Sequence, residues 1–126
     1  MTVCAFVGAL ATAVTGAEFT LGWTHSVERT EWRERWRLEA DGLRLVEARV
    51  RGSGAGMDPG PGARLEDGWW VWAPTLAAQP ELVLAASGDT GGGWRLCPAP
   101  DGTGPCRTLG ARAGPPVRLA ACEPAP

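Results

Sequence analysis

An alternation of apolar and charged residues over positions 31–40 is the feature that most constrains how this chain folds. Even-numbered positions are mostly apolar and odd-numbered positions are all Glu or Arg: Trp32, Glu34, Trp36, Leu38 and Ala40 against Glu31, Arg33, Arg35, Arg37 and Glu39. Because side chains two residues apart share one face of a β-strand, the pattern predicts a strand with one charged face. A helix over 28–40 is the alternative, since Glu and Arg favour helices and Trp32 and Trp36 are four residues apart. Ten residues of alternation ending in Asp41-Gly42 favour the strand.

Turn signals extend this reading to the whole chain and predict an all-β fold. Three Asp-Gly dipeptides, typical of hairpin turns, separate alternating or aromatic-rich runs: Asp41-Gly42, Asp67-Gly68 and Asp101-Gly102. Strands are predicted at 2–7, 10–16, 18–27, 31–40, 43–51, 63–66, 69–73, 81–87, 93–97, 106–110 and 116–122. Short strands joined by Gly/Pro turns indicate a small antiparallel β-barrel or sandwich. With 126 residues, the chain is expected to form a single domain, 1–126.

The two ends of the chain carry weaker patterns. Segment 3–14 is apolar and rich in small residues, as in a signal peptide, but no Lys or Arg precedes it and it is too short to span a bilayer. We favour a first β-hairpin within 1–17, with its turn near Gly8, because the next strand begins at Glu18. The tail 98–126 is rich in Pro and Gly, which weakens its strand signals.

The charge pattern argues against a polyanionic partner. Formal net charge is −2, Lys is absent, and Arg residues are interleaved with Asp and Glu. Phosphate recognition requires a concentrated basic face, so nucleic-acid binding is not expected. Arg33, Arg35 and Arg37 are interpreted as a solvated strand face rather than an anion-binding ladder, because they alternate with Glu31 and Glu39.

The four cysteines favour disulfides. Cys97 and Cys106 flank a predicted hairpin at Asp101-Gly102, and Cys4 and Cys122 lie in the first and last predicted strands. Pairs Cys97–Cys106 and Cys4–Cys122 are therefore predicted, and an even count suits an oxidising compartment. The alternative is four free thiols in a cytosolic protein. Without a CxxC motif, and with one histidine, no metal site is expected, and no cofactor is implied.

Two predicted apolar strand faces each carry one ionisable residue. His25 shares a face with Trp23, and Glu34 lies between Trp32 and Trp36. Such groups are costly in an apolar interior unless paired. They are interpreted either as the floor of an aromatic ligand pocket or as a hydrogen bond that fixes strand register; a lone His with one carboxylate favours the second. In the pocket interpretation the rim consists of Ser26, Glu28, and a glycine-rich loop that contains Gly54 and Gly56.

Catalysis is not predicted. His25 and Ser26 are adjacent, so on a strand their side chains face opposite ways and cannot act as base and nucleophile together. The sequence contains no GxSxG, HExxH, P-loop or Rossmann motif. Glu28 and Glu34 are only a weak sign of a hydrolase.

Trp70 and Trp72 share one face of WWVW with Trp69 on the other, which suggests a carbohydrate- or small-ligand-binding module if either face is exposed. We expect both faces to be covered, one by the core and one by the long loop 52–62.

Three segments resemble the bacterial family known as domain of unknown function 1850: FTLGWTHSVERTEW, DGLRLVEARVRGSGAGM and LEDGWWVWAP. The resemblance runs from about Cys4 to Ser87, and its most specific parts are THSVE at 24–28, Glu34, and GSGAGM at 52–57. The family has no established activity. Its members are found beside, or fused to, TAXI-type tripartite ATP-independent periplasmic (TRAP) transporters, which import small organic anions with an extracytoplasmic solute receptor.

The resemblance implies a non-enzymatic accessory or ligand-sensing domain. Its implied partners are a transporter subunit or solute receptor, and its implied ligand is a small organic anion. An extracytoplasmic location follows from the same resemblance and agrees with the cysteine count. The chain departs from many relatives in lacking an evident N-terminal membrane anchor, which leaves a cytoplasmic location as the alternative. Nothing in the sequence indicates an oligomeric state.

Overall fold

The structure is a computed structural model that describes residues 2–24, 30–51, 60–86, 93–98 and 104–122. These residues form eleven β-strands: β1 (Thr2–Val7), β2 (Leu10–Thr15), β3 (Glu18–Thr24), β4 (Glu31–Glu39), β5 (Gly42–Arg51), β6 (Arg64–Glu66), β7 (Trp69–Trp72), β8 (Leu82–Leu84), β9 (Trp94–Cys97), β10 (Arg107–Leu109) and β11 (Val117–Cys122). The all-β prediction is confirmed, including a strand rather than a helix at β4. The described ranges include no helix with the length and apolar character needed to cross a membrane.

The strands form two antiparallel sheets that pack as a sandwich. One has the order β2-β1-β11-β8, and the other has the order β10-β9-β3-β4-β5-β7-β6. Of the two predicted architectures the sandwich is correct, because the sheets do not close into a barrel. The core combines buried side chains from both sheets, among them Val3, Phe19, Leu21, Trp36, Leu43, Leu96 and Leu119. We call the core side of the seven-stranded sheet its inner face and the opposite side its outer face.

The predicted N-terminal hairpin is part of this sandwich. β1 pairs with β2 on one side and with β11 on the other. Val3 is fully buried and Ala5, the Cα partner of Leu119, is 6% exposed. Strands β1 and β2 therefore supply half of the four-stranded sheet and part of the core.

The register between β3 and β4 confirms the predicted strand faces. Opposed Cα pairs are Phe19↔Trp36, Leu21↔Glu34 and Trp23↔Trp32, all on the inner face. The pairing of β4 with β5 contains a β-bulge, because Arg35 pairs with Glu47 and the next residue, Trp36, pairs with Leu45. The extra residue on β5, Val46, shifts the alternation so that Leu45 and Ala48 both lie on the inner face, where both are buried.

Both predicted disulfides are present. Cys4–Cys122 joins β1 to β11 with a Cα–Cα distance of 5.8 Å and a sequence separation of 118. Cys97–Cys106 joins the end of β9 to the residue before β10, with a Cα–Cα distance of 4.2 Å. The first bridge ties the two ends of the fold together, and the second closes the β9–β10 hairpin.

Candidate functional site

The predicted site residues divide into a described and an undescribed group. His25, Ser26, Glu28, Gly54 and Gly56 lie outside the described residues. Trp23 and Glu34 are described, and both lie on the inner face. They are not directly opposed, because Trp23 pairs with Trp32 whereas Glu34 pairs with Leu21.

Trp23 belongs to a row of four tryptophans that crosses the inner face. The ring centroids of neighbours are 4.9 Å apart for Trp94 and Trp23, 6.1 Å for Trp23 and Trp32, and 6.2 Å for Trp32 and Trp72. Strand order explains the row, since β9, β3 and β4 are adjacent and the Cα pair Gly22↔Arg95 brings Trp23 beside Trp94. All four side chains are half-buried. We call these residues the tryptophan row.

Contacts at both ends fix the tryptophan row. The indole Nε1 of Trp94 donates a hydrogen bond to the backbone oxygen of Ala85, at 3.0 Å. Gly60 lies against the ring of Trp72 so closely that a Cβ at this position would collide with it. The row is therefore held in place by backbone groups outside its own strands.

Strands β3 and β5 both end next to this row. β3 ends at Thr24, directly after Trp23, and β5 ends at Arg51, directly after the Cα partner of Trp32, which is Val50. In sequence, the site candidates outside the described residues follow these two strands.

Glu34 is the carboxylate on the inner face of β4. The indole Nε1 of Trp36 donates a hydrogen bond to its Oε1 at 3.1 Å. Its cross-strand neighbours, Leu21 and Ala48, are apolar and buried. Burial raises the pKa of the Glu34 carboxyl above its ordinary value, and the hydrogen bond from Trp36 offsets part of that shift. Among the described residues, the partner of Glu34 is thus a tryptophan.

The two faces of the strand WWVW have different neighbours. Trp70 and Trp72 lie on the inner face and are half-buried, whereas Trp69 lies on the outer face and is 8% exposed. The guanidinium carbons of Arg33, Arg51 and Arg49 lie 4.8, 5.6 and 6.0 Å from the Trp69 ring centroid. Arginines thus cover Trp69 on the outer face, and Gly60, at the described end of the long loop, lies against the Trp72 ring on the inner face. Residues 52–59 lie outside the described residues, so the expected cover by this loop stays a prediction.

The outer face carries a network of paired charges. Each of six arginines lies within 4 Å of a carboxylate: Arg33–Glu31, Arg35–Glu47, Arg37–Glu18 and Glu39, Arg44–Glu39 and Asp41, Arg49–Glu47, and Arg64–Glu66. Arg33, Arg35 and Arg37 are all in this network, so they do not present an open ladder of positive charge.

Sequence reasoning missed a cleft on the outer face. It has a volume of about 200 Å³ and is formed by β3, β4, β9 and β10, with Gly22 between Arg33 and Arg95. The one signal in the sequence was a glycine at an outward position of a strand, where Thr20 and Thr24 are its neighbours on the same face. A glycine in a strand interior often marks a close approach of another group.

The sequence comparison identifies the family. Residues 19–101 match the sequence model of a family described as a domain of unknown function, DUF1850. The chain belongs to the DUF1850 family. The match begins at Phe19, after the expected start at Cys4, and continues past Ser87 to Asp101. No curated protein and no solved structure matches the chain. In this DUF1850 domain the matched range contains the whole tryptophan row and Glu34.

Proposed function

We propose that this DUF1850 domain is a non-enzymatic accessory domain that docks onto a TAXI-type TRAP transporter and senses a solute. The tryptophan row is the observation that carries the proposal. Four half-buried indoles in mutual contact form a rigid apolar strip at one end of the sandwich. Tryptophan is enriched at the energetic centres of protein interfaces, because it contributes a large contact area with few rotatable bonds.

Two further features support the proposal. The resemblance of THSVE, Glu34 and GSGAGM to the family's signature supports the link to the transporter. The two disulfides suit an oxidising compartment, which supports an extracytoplasmic site of action. The resemblance thus supports a transporter as the partner, and the disulfides support an extracytoplasmic location. The tryptophan row is the surface proposed to contact the partner.

The surroundings of Glu34 favour binding over catalysis. A general acid or base acts through hydrogen bonds to a reacting group, but the described partner of Glu34 is the indole of Trp36. The cross-strand neighbours Leu21 and Ala48 carry no nucleophile. Glu34 therefore acts as a hydrogen-bond acceptor for Trp36 on the face that carries the row.

A carbohydrate-binding module is the second candidate, favoured by one observation. The rings of Trp23 and Trp32 are nearly parallel, with an angle of 5° between their planes. Parallel aromatic surfaces suit stacking against a sugar ring. Saturable quenching of tryptophan fluorescence by methyl glucoside, abolished in Trp23→Ala, would favour this candidate over a protein partner.

Co-purification from gently solubilised membranes of the native cell tests the proposal. The tagged wild-type domain is expected to recover a transporter subunit or the solute receptor. Trp72→Ala is expected to lose this partner, whereas Trp69→Ala, on the same strand but the opposite face, is expected to retain it. Circular dichroism of each variant confirms folding before the comparison. A wild type that is recovered without a transporter component, or equal loss in both variants, would contradict the proposal.

A further pull-down addresses the family's signature histidine. His25→Ala is expected to lower stability on either interpretation of His25. Loss of the partner by a variant that still folds would place His25 in the docking surface. Unfolding of this variant, with the partner retained by a folded His25→Gln variant, would assign His25 a structural role instead.

A further inference from the structure

The cleft on the outer face is built around one straight cross-strand line of residues. Cα pairs Thr108↔Arg95, Arg95↔Gly22 and Gly22↔Arg33 connect β10, β9, β3 and β4 in that order. Neighbouring strands lie about 4.8 Å apart, so the Cα atoms of Arg95 and Arg33 are separated by about 10 Å across Gly22. Because Gly22 has no side chain, this gap is a depression with a backbone floor.

The two arginines at the cleft differ in whether a described carboxylate is paired with them. The Arg33 guanidinium donates to Glu31 Oε1 at 3.0 Å and lies over the Trp69 ring, so its charge is already balanced. Arg95 lines the same cleft and is exposed, and it forms no ion pair with any carboxylate in the described part of the chain. The cleft therefore has a net charge of about +1, concentrated at Arg95.

Hydroxyl groups line the same cleft as Arg95. Thr20 and Thr24 lie on either side of Gly22 along β3, and Thr108 lies beside Arg95 on β10. Cys97, opposite Thr20, is bridged to Cys106, which joins β9 to the start of β10 and so fixes the wall that carries Thr108. The Arg95 guanidinium and the hydroxyls of Thr24 and Thr108 make a set of hydrogen-bond donors for an anion.

We propose that this cleft binds the carboxylate group of a small, singly charged ligand, with Arg95 as its anchor. A planar carboxylate accepts two parallel hydrogen bonds from one guanidinium, and of the two described arginines that line the cleft only Arg95 is without an ion pair. The Glu31 carboxylate at the rim disfavours a dianion such as hydrogen phosphate, because like charges repel in a confined space. The volume of about 200 Å³ sets the size class as that of a small metabolite.

A titration with sodium acetate at low ionic strength, followed by ¹H–¹⁵N correlation NMR, tests the proposal. Acetate is expected to produce saturable shifts at the amides of Gly22, Arg95 and Thr108. Acetamide, which has a similar shape but no charge, is expected to produce none at these positions. Equal shifts with acetate and acetamide, or acetate shifts confined to other parts of the chain, would overturn the proposal.

Two arginine variants test whether acetate affinity depends on Arg95 specifically or on the positive charge of the surface in general. Arg95→Gln is expected to weaken acetate binding at least about tenfold, the loss that accompanies removal of one charged hydrogen-bond donor. Arg37→Gln removes the same charge from the same face, but Arg37 is already paired with Glu18 and Glu39, so affinity is expected to stay unchanged. Equal weakening in both variants would overturn the assignment.

Gly22→Ala tests the floor of the cleft without breaking the fold. A Cβ at Gly22 would lie 3.5 Å from the Trp32 backbone oxygen and 3.6 Å from Arg33 Cγ, which are ordinary contacts. The melting temperature is therefore expected to stay the same or rise, because alanine is preferred to glycine within a strand, while acetate affinity falls. Unchanged affinity in a folded Gly22→Ala protein would place the ligand elsewhere.

Glu31→Gln is expected to raise acetate affinity, whereas Arg95→Gln and Gly22→Ala are expected to lower it. Removing this carboxylate releases Arg33 from its ion pair and removes a negative charge from the rim, so acetate is expected to bind more tightly. Loss of binding would contradict the proposed role of Glu31. The inference depends on the cleft alone and not on the transporter. Trp23 contributes to both the cleft lining and the row, but Arg95 and Trp72, whose variants carry the two tests, lie on opposite faces, so one test can fail while the other succeeds.

Discussion

The two faces of the seven-stranded sheet are made by alternate residues of the same strands, yet one face is mainly apolar and the other is mainly charged. On the inner face, Glu34 is a carboxylate surrounded by apolar groups, and its described partner is the Trp36 indole. On the outer face, Trp69 is an aromatic ring surrounded by arginines. Glu34 is thus a charged residue on a mainly apolar face, and Trp69 is an aromatic residue on a mainly charged face.

What a charged residue contributes to this sheet depends more on the groups it is paired with than on its residue type. Most outer-face arginines are neutralised by neighbouring carboxylates, and exposed pairs of this kind contribute little to stability. Arg95 stands apart because it is exposed at a cleft and lacks such a partner among the described residues. Glu34 stands apart because burial raises its pKa. The following predictions test whether the two faces differ as described.

The largest difference is expected between two adjacent residues of β4. Trp36 is 4% exposed in the core, so Trp36→Ala is expected to lower the free energy of unfolding by about 3–5 kcal/mol. Arg37, on the outer face, forms exposed ion pairs, so Arg37→Ala is expected to cost less than about 1 kcal/mol. Urea denaturation monitored by circular dichroism measures both values. Similar losses in the two variants would remove the distinction between the faces.

The disulfide at the wall of the cleft is expected to have the next largest effect. Cys97→Ala combined with Cys106→Ala opens a short loop and is expected to cost about 2–3 kcal/mol. Acetate affinity is also expected to fall, because β10 is no longer tied to the end of β9. The matched control is Cys4→Ala with Cys122→Ala, which destabilises the fold but leaves the cleft intact. Unchanged acetate affinity in the first double variant would show that the bridge does not shape the cleft.

Overpacking of the tryptophan row comes third. Gly60→Ala places a methyl group against the Trp72 ring and is expected to destabilise the fold by about 1–2 kcal/mol. The same substitution at Gly114, where a Cβ meets no atom within 4 Å, is expected to be nearly neutral. Thermal unfolding distinguishes them. A neutral Gly60→Ala would mean that the contact with Trp72 is not tight.

The smallest expected effect is the pH dependence of stability that Glu34 causes. Because burial raises the pKa of Glu34 in the folded state, the protonated form is favoured there, and the resulting stability is fully present below the unfolded value of about 4.5. It is lost as pH rises through the higher folded pKa. Glu34→Gln keeps an acceptor for Trp36 and is expected to remove this dependence. Parallel stability–pH curves for the wild type and Glu34→Gln would contradict the assignment.

Local patterns were enough to predict the strands and several of their faces. Alternation placed Trp23 and Glu34 on inner faces, and spacing around a hairpin predicted Cys97–Cys106. The bulge in β5 was missed, although its signal is visible as a change of phase between Leu45 and Ala48. A one-residue insertion reverses the alternation, so a strictly periodic reading fails at that point.

The order of strands was beyond the reach of local patterns. Trp94 completes the tryptophan row, and Arg95 completes the cleft, only because β9 pairs with β3, a strand distant in sequence. Periodicity tells which residues share a face, but it does not tell which strands are neighbours. For the same reason, the arginines that cover Trp69 were not predicted.

Fluorine NMR of the domain labelled with 5-fluorotryptophan tests the central claim most directly, since tryptophans report on both faces. Titration with the purified TAXI-type transporter complex is expected to shift or broaden the resonances of Trp32 and Trp72. The resonance of Trp69, beneath its arginines on the outer face, is expected to stay unchanged. Perturbation of Trp69 alone, or no perturbation of any tryptophan, would contradict docking through the tryptophan row.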